Sequence, residues 1–408
     1  MTEKTAAMGA AQVPAPKSGG KGLAIGIAVS AVVAVIGIVL WVVQLSGGMV
    51  QTAMRNFDSW GLYITSFMFF VGLSAGGLII SSVPKAFGIK GFGGISKVAV
   101  MTSIAATVTA IGFVIVDVGQ PVRLWELFAF ANVGSPLLWD VTVLTIYLVL
   151  SCVYLWAQLR AEAGAMKAKS LRVISVVALV CAVLVHSVTA WIFGLQAGRE
   201  MWYTALLGPW FVSSALVCGT ALVMCTTIAL RAVGYLKWEQ ENLVRLAKLL
   251  GAFVMVDIYF FGCDLLTEAF PAGKGMEVVQ MLVTGPLAPF FWIEIVACAV
   301  CAVVCFTPSL RTNKLMVVAS LLAIAAIFCK RVQLLVGGFQ IANIAYATPI
   351  TPYTVTGWDT GALEKAYAGM VYWPTPLEFG VSLGVVALGF LIFFLGIRFL
   401  PLKPDGQN

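Results

Sequence analysis

The sequence predicts an all-α integral membrane protein, with about ten transmembrane helices forming two four-helix bundles plus flanking helices. Three observations lead there. Hydrophobic residues make up 61% of the chain and charged ones only 11%, against roughly 25% charged in an ordinary soluble domain. Apolar runs of about 20 residues, the length that crosses a bilayer as a helix, recur along the whole chain and leave no stretch for a water-soluble domain. None shows the period-two alternation of barrel strands, so the spans are helical.

In chain order, residues 1–22 are rich in Ala, Pro, Gly and Lys and read as a flexible cytoplasmic tail. The first apolar run, 23–45, exceeds a signal-peptide core and lacks a small-x-small cleavage site, so it is expected to stay as an anchor helix. Further spans are expected at about 60–82, 97–117, 137–159, 172–195, 208–230, 249–270, 287–307, 315–337 and 376–399. Residues 60–195 then form the first bundle and 208–337 the second, followed by a connection over 338–375, the last helix and a tail over 400–408. A connection of that length, rich in Pro and aromatic residues, suits a lid or a docking surface better than a tight turn. The entries to the fourth and eighth spans, GSPLLWDV and LAPFFWIEI, echo each other. That fits two four-helix units in the same sense, although the match is too short to prove duplication.

Charge sets the orientation. Of the 25 Lys and Arg residues, 18 fall in the two tails and in the loops after spans two, four, six and eight, and 5 in the remaining loops, while Lys330 and Arg331 lie inside span nine. The positive-inside rule then puts both termini in the cytoplasm of a cell whose inner (plasma) membrane holds the chain. The stretch Asp117–Asp140, the segments GREMWY (198–203) and FPAGKG (270–275) and the 338–375 connection are expected to be exoplasmic.

Residue counts narrow the chemistry. His186 is the only histidine, so haem held by two histidines cannot form within this chain, although a His/Met haem stays open. All nine cysteines fall inside apolar runs without paired CxxC groups, which argues against zinc, iron–sulfur or disulfide frameworks. Cys298, Cys301 and Cys305 share one helical face, as small packing residues do. Neither haem nor metal is expected, and the partners expected are lipid and protein, not nucleic acid.

Two groups of ionisable residues stand out, because charge inside a bilayer is expensive and by default marks a site. In the first, Asp117 ends span three, Asp140 begins span four, and His186 lies some 20 Å along span five, by about 1.5 Å per residue, with Trp60 and Tyr63 at the start of span two. A histidine near a carboxylate can exchange protons with a hydroxyl, and a quinol loses two protons with its two electrons, so aromatic walls around such a pair suit a quinone head group. The same spacing serves equally a histidine hydrogen-bonded between helices with aspartates capping them. Arg123 can pair with Asp117, Glu126 or Asp140, most simply as a surface bridge. Trp125, Trp139, Trp191 and Trp202 fit an aromatic belt.

In the second group, Asp257, Asp264 and Glu268 fall within about 40° on one helix face, with Glu294 on the next helix and Lys330 and Arg331 on the one after. Each charge costs on the order of 2.5–3.5 kcal/mol to insert, so these six must face protein or water. Mutual neutralisation is the simpler reading and a proton path the other. Asp257, nearest the middle, has no neighbour in sequence that must pair with it.

The motifs WGLY with FVGLSAGG (60–63, 70–77), DVGQPVR (117–123), SPLLWD (135–140) and HSVTAW (186–191) resemble, in order and position, those of the polysulfide reductase NrfD family. The resemblance covers most of the chain from Trp60 onward, and FFWIEI in span eight is also similar to membrane subunits of certain hydrogenases. It implies a haem-free, quinone-reactive subunit that binds quinol, menaquinol for choice, at the exoplasmic side of the first bundle. His186, Asp140 and Asp117 would be catalytic, with Trp60, Tyr63, Arg123, Trp139 and Trp191 around the quinone. It also implies an iron–sulfur, ferredoxin-like partner above this site and a molybdopterin catalytic subunit behind it. Gln120, Ile192 and the Trp202-Tyr203 pair depart from the family pattern, which places more weight on Asp117, Asp140 and His186. A transporter or proton pump built on the carboxylates of spans seven to nine is the alternative, and a passive anchor without redox role a third.

Overall fold

The computed structural model describes residues 20–55, 58–270, 273–341 and 372–403. Among them there is no β-strand, and ten helices are long and apolar enough to cross a membrane. They are α1 (Lys21–Gly47), α2 (Leu62–Phe87), α3 (Gly93–Asp117), α5 (Pro136–Glu162), α6 (Ala168–Gly194), α7 (Leu207–Ala232), α8 (Gln240–Ala269), α10 (Ala288–Phe306), α11 (Asn313–Gln340) and α12 (Pro376–Phe399). Two short helices, α4 (Glu126–Ala129) and α9 (Lys274–Val283), lie in connections. The protein is an all-α integral membrane protein.

Local chemistry sets the helix ends. Pro136 opens α5 behind Ser135, where a missing N–H costs nothing. Thr312 caps α11 by accepting from the Leu315 N–H at 3.3 Å. Thr375 and Glu378 form a capping box around Pro376 at the start of α12. Gly88 stops α2 in the left-handed region at φ 74°, which a β-carbon disfavours.

Consecutive spans run in alternating directions. The connection 118–135 lies on what we term the upper face; the start of α1 and the end of α12 lie on the lower. Helices α2, α3, α5 and α6 pack around one another in ring order, and α7, α8, α10 and α11 do the same. The rings meet chiefly where α2 crosses α7. There Gly76 and Gly219 sit backbone to backbone, and a β-carbon on Gly76 would come within 2.1 Å of the Ala215 carbonyl oxygen. Helices α1 and α12 pair at Gly37 and Gly384 and lean on α3.

The expected spans recur within a few residues, except that α8 begins at Gln240 and not near 249. Its polar first turns, Gln240–Lys248, continue the helix beyond the apolar run. Most of the 338–375 connection and of both tails lies outside the described residues.

Candidate functional site

His186 points from α6 into the seam between the two rings and is fully buried. Gly72 of α2 makes room for it, since a β-carbon there would touch the imidazole at 3.4 Å. The ring Nε2 lies 3.2 Å from Nη2 of Arg331 on α11. A guanidinium has only donors, so Nε2 is the acceptor and the imidazole is neutral with its proton on Nδ1. Arg331 also donates to the Ser214 hydroxyl of α7 at 2.5 Å and lies 3.8 Å from the centroid of the Phe211 ring. Nδ1 of His186, beside the Phe211 backbone, and Nε of Arg331 are buried donors without a well-formed hydrogen bond.

Asp140 is buried at the first turn of α5. Its Oδ1 lies 2.5 Å from the Thr189 hydroxyl, which also lies 2.9 Å from the Val185 carbonyl oxygen. Thr189 has one hydrogen for two acceptors. Both contacts are satisfied together when Asp140 carries a proton and donates it to Thr189, which donates onward to Val185. With the carboxylate ionised, Thr189 donates to it instead, so the pair can pass a proton in either direction. Asp140 and His186, expected to converge on one pocket, make no hydrogen bond to each other; the contact of Asp140 is with Thr189, one turn along α6 from His186.

The other expected pocket residues separate. Trp60 joins Phe193, Trp202 and Phe339 in an aromatic cluster with centroids 5.0–6.5 Å apart. This cluster closes the upper end of the seam, about two turns above His186 on α6 and Arg331 on α11. Tyr63 faces the other way and donates to Gln44 of α1 at 2.5 Å, while Gln44 donates to the Val116 carbonyl oxygen at 3.0 Å. Asp117 belongs to this second group, with Glu378 of α12 nearby. Glu378 accepts from the Ala53 and Thr375 N–H groups at 2.8 Å and from the Tyr372 hydroxyl.

Arg123 pairs with Glu126 through two hydrogen bonds of 2.8 Å, its side chain 68% exposed, and so serves as the surface bridge. Trp139 donates to the Val133 carbonyl oxygen of its own loop, and Trp191 is exposed near Gly208. In the upper loop, burial pushes the Asp58 carboxyl above the usual carboxylate range, against the pull of Arg199.

The second ionisable group is a neutralised cluster in part. Lys330 of α11 pairs with Asp257 of α8, although no sequence neighbour of Asp257 announced a partner, and with Glu294 of α10 at 3.3 Å. Ser213 donates to Asp257 at 2.9 Å and Gln333 to Glu294 at 2.8 Å. The Lys330 ammonium also lies 4.7 Å from the Trp210 ring centroid. Asp264 stands higher, against Thr204, and Glu268 higher still, beside Asp264 and Glu200. Arg331, grouped by sequence with these acids, instead turns to His186.

Sequence reasoning missed Thr189, Ser213, Ser214 and Gln333. The signal was present: an adjacent Ser pair inside an apolar helix, and a Gln one turn after a buried Lys. Among the described residues no group of three or more His, Cys, Asp or Glu side chains is placed to hold a metal ion.

The family model for polysulphide reductase NrfD matches residues 50–343, a stretch that includes every candidate residue from Trp60 to Arg331. The chain belongs to the NrfD family. Relatives agree along nearly the full length. The chain is 33% identical to a provisionally named membrane subunit of a dimethyl sulfoxide reductase of Halobacterium salinarum, over 92% of this chain and 90% of that protein. It is 25% identical to a selenate reductase subunit of Mesobacillus selenatarsenatis, over 91% and 92%. It is also 25% identical to the Hdr-like menaquinol oxidoreductase integral membrane subunit of Archaeoglobus fulgidus, over 86% and 87%.

Proposed function

We propose that this chain is the quinone-reactive membrane subunit of a respiratory oxidoreductase complex. It exchanges electrons between membrane quinol, menaquinol by analogy with the named oxidoreductase relative, and an iron–sulfur partner on the upper face. That partner in turn serves a molybdopterin subunit. Two buried contacts carry the reading: Asp140 meets Thr189, one turn along α6 from His186, and His186 meets Arg331, which also holds Ser214, beneath an aromatic cluster.

The residues divide the chemistry. A quinol must lose two protons along with its electrons, and Asp140 is the group able to take them in turn. The Nδ1–H of His186 and the Nε–H of Arg331 are buried donors in want of an acceptor oxygen, and a quinone carbonyl supplies one. The guanidinium favours negative charge as it builds on that oxygen. Trp60, Phe193, Trp202 and Phe339 exclude water above. With Lys and Arg concentrated toward the lower face, we take that face as cytoplasmic and the upper as exoplasmic.

The test is a pair of variants, His186→Ala and Asp140→Asn, in the assembled complex. Each should lower quinol-dependent turnover by about a hundredfold or more, while dye-dependent activity of the catalytic partner persists. Full quinol-dependent activity in both assembled variants would overturn the assignment. The transporter reading has less support, because Lys330 already engages both Asp257 and Glu294.

A further inference from the structure

Helix α5 carries a second feature that the quinone reading does not use. Asp140, Tyr147, Ser151, Tyr154 and Gln158 follow at intervals of seven, four, three and four, which places them on one helix face. All five are buried. The facing helices answer at the same heptad spacing, with Ser74 and Ser81 on α2 and Ser96 and Ser103 on α3.

The contacts form two hydroxyl clusters. In the upper one, the Tyr147 hydroxyl lies 2.8 Å from Ser103 and 3.1 Å from Ser74, and Ser74 lies 2.6 Å from Thr107. Ser151 extends it downward along α5. In the lower one, the Tyr154 hydroxyl contacts the Ser81 carbonyl oxygen at 3.2 Å and accepts from Ser175 at 3.4 Å. Gln158 donates to Ser81 at 3.3 Å and accepts from Ser96 at 3.0 Å, and the Ser81 and Ser96 hydroxyls lie 2.7 Å apart. Below Ser96 and Gln158 come Lys97 and Glu162, which pair at the lower face, where the Glu162 side chain is 31% exposed.

The column thus begins at one acid and ends at another, 22 residues or about 33 Å down α5 at 1.5 Å per residue, roughly the thickness of the hydrocarbon core. Three intervals lack a direct contact: about 10 Å between Asp140 and Tyr147, about 5 Å between Ser151 and Tyr154, and about 6 Å between Gln158 and Glu162. A continuous path needs water to complete each of them. Hydrogen bonds between membrane helices also act as glue. Glue does not require one unbroken face of α5 or an acid at either end.

We propose that the hydroxyl column of α2, α3 and α5 conducts protons between Asp140 and Glu162, so that protons exchanged at Asp140 enter or leave on the lower face, opposite the redox partner. This rests on the quinone reading. When a quinol is oxidised, its two electrons pass to the iron–sulfur partner. Each of its two O–H bonds breaks as an O–H bond forms on Asp140. Asp140 then gives each proton to the column, where every hydroxyl oxygen takes one proton and releases its own to the next, ending at Glu162 and bulk water. Quinone reduction runs the same chain in reverse.

The test uses the intact complex in liposomes with a pH dye trapped inside and a membrane-impermeant electron acceptor outside. Only complexes with the redox partner outward turn over, so their lower face meets the lumen. Adding a soluble naphthoquinol should acidify the lumen by two protons per quinol oxidised. In Tyr147→Phe and Gln158→Leu, turnover and acidification should fall together by about tenfold or more. Thr109→Val, which removes a buried hydroxyl of α3 outside the column, should change neither. Turnover with protons released only outside overturns the proposal, as does full lumenal acidification in both assembled column variants. No quinol turnover in the unaltered complex overturns the quinone reading itself, and this proposal with it.

Discussion

Replacing Lys330 with Met tests the buried ion cluster most directly. The Lys330 side chain is 4% exposed, and its partners Asp257 and Glu294 are 0% and 1% exposed. The methionine keeps the volume but leaves two carboxylates without their cation. Breaking a buried pair from one side costs about 3–5 kcal/mol. At about 2 °C per kcal/mol for a long chain, the melting temperature should drop by roughly 6–10 °C. The protein supplies its own probe: Cys218, Cys298, Cys301 and Cys305 are free and buried, so a thiol-reactive fluorophore reports unfolding of the purified chain in detergent. The double variant Lys330→Met with Asp257→Asn should recover at least half of the loss, because it removes one positive and one negative charge together. An unchanged melting temperature in the single variant, or a double variant no more stable than the single, would refute the cluster.

The α2–α7 crossing gives a graded pair of glycines. Gly76→Ala drives a β-carbon to 2.1 Å from a backbone oxygen and should cost about 1–3 kcal/mol, seen as poor assembly or early melting, whereas Gly72→Ala meets the Cys218 sulfur at 3.3 Å and His186 at 3.4 Å, side-chain contacts that need give by only a few tenths of an ångström, and should cost clearly less. A tolerated Gly76→Ala would show that the helices do not cross there. Asp58 gives a pH-dependent case. Burial raises its pKa, so the folded protein holds that proton to higher pH than the unfolded chain, and stability falls as the pH rises from the ordinary carboxylate value through the raised one. Asp58→Asn should therefore exceed the parent in melting temperature at pH 7 but match it near pH 3, and an equal difference at both would contradict this origin.

The ten spans were legible because length and apolar content alone demand them. What periodicity does not carry is partnership between helices. Asp257 lies 73 residues from Lys330, and His186 lies 145 from Arg331, so no local pattern links them. The short helices α4 and α9 went unread because they lie in connections, where no apolar run marks them. The α5 stripe was different. Its heptad of Asp, Tyr, Ser, Tyr and Gln is plain in the sequence, yet tyrosine and serine in an apolar run carry no charge to draw attention. Tyr63 and Asp117 sit near the upper ends of their spans, as Asp140 does, but depth leaves the direction around the helix axis open. Tyr63 faces α1 and not α6.

The two ionisable groups, separate in the sequence, balance only when taken together. Lys330 and Arg331 are adjacent on α11, about 100° apart around its axis, and Ser213 and Ser214 are adjacent on α7. One member of each pair turns toward Asp257 in the second ring and the other toward His186 in the seam. Lys330 meets two acids, Asp257 and Glu294, while Arg331 meets a neutral imidazole. Counted alone, the second ring's cluster has one negative charge too many and the His186 centre one positive charge too many. Counted together, two bases face two acids, and Arg331 lies within electrostatic reach of both Asp257 and Glu294. A buried charge without compensation costs several kcal/mol, so the cation beside His186 depends for its stability on the acids of its own ring, Asp257 and Glu294. The His186 centre is therefore not a property of the first bundle alone. Its imidazole comes from α6 of the first ring and its cation from α11 of the second, which gives a physical reason for the two rings to stay packed as one body.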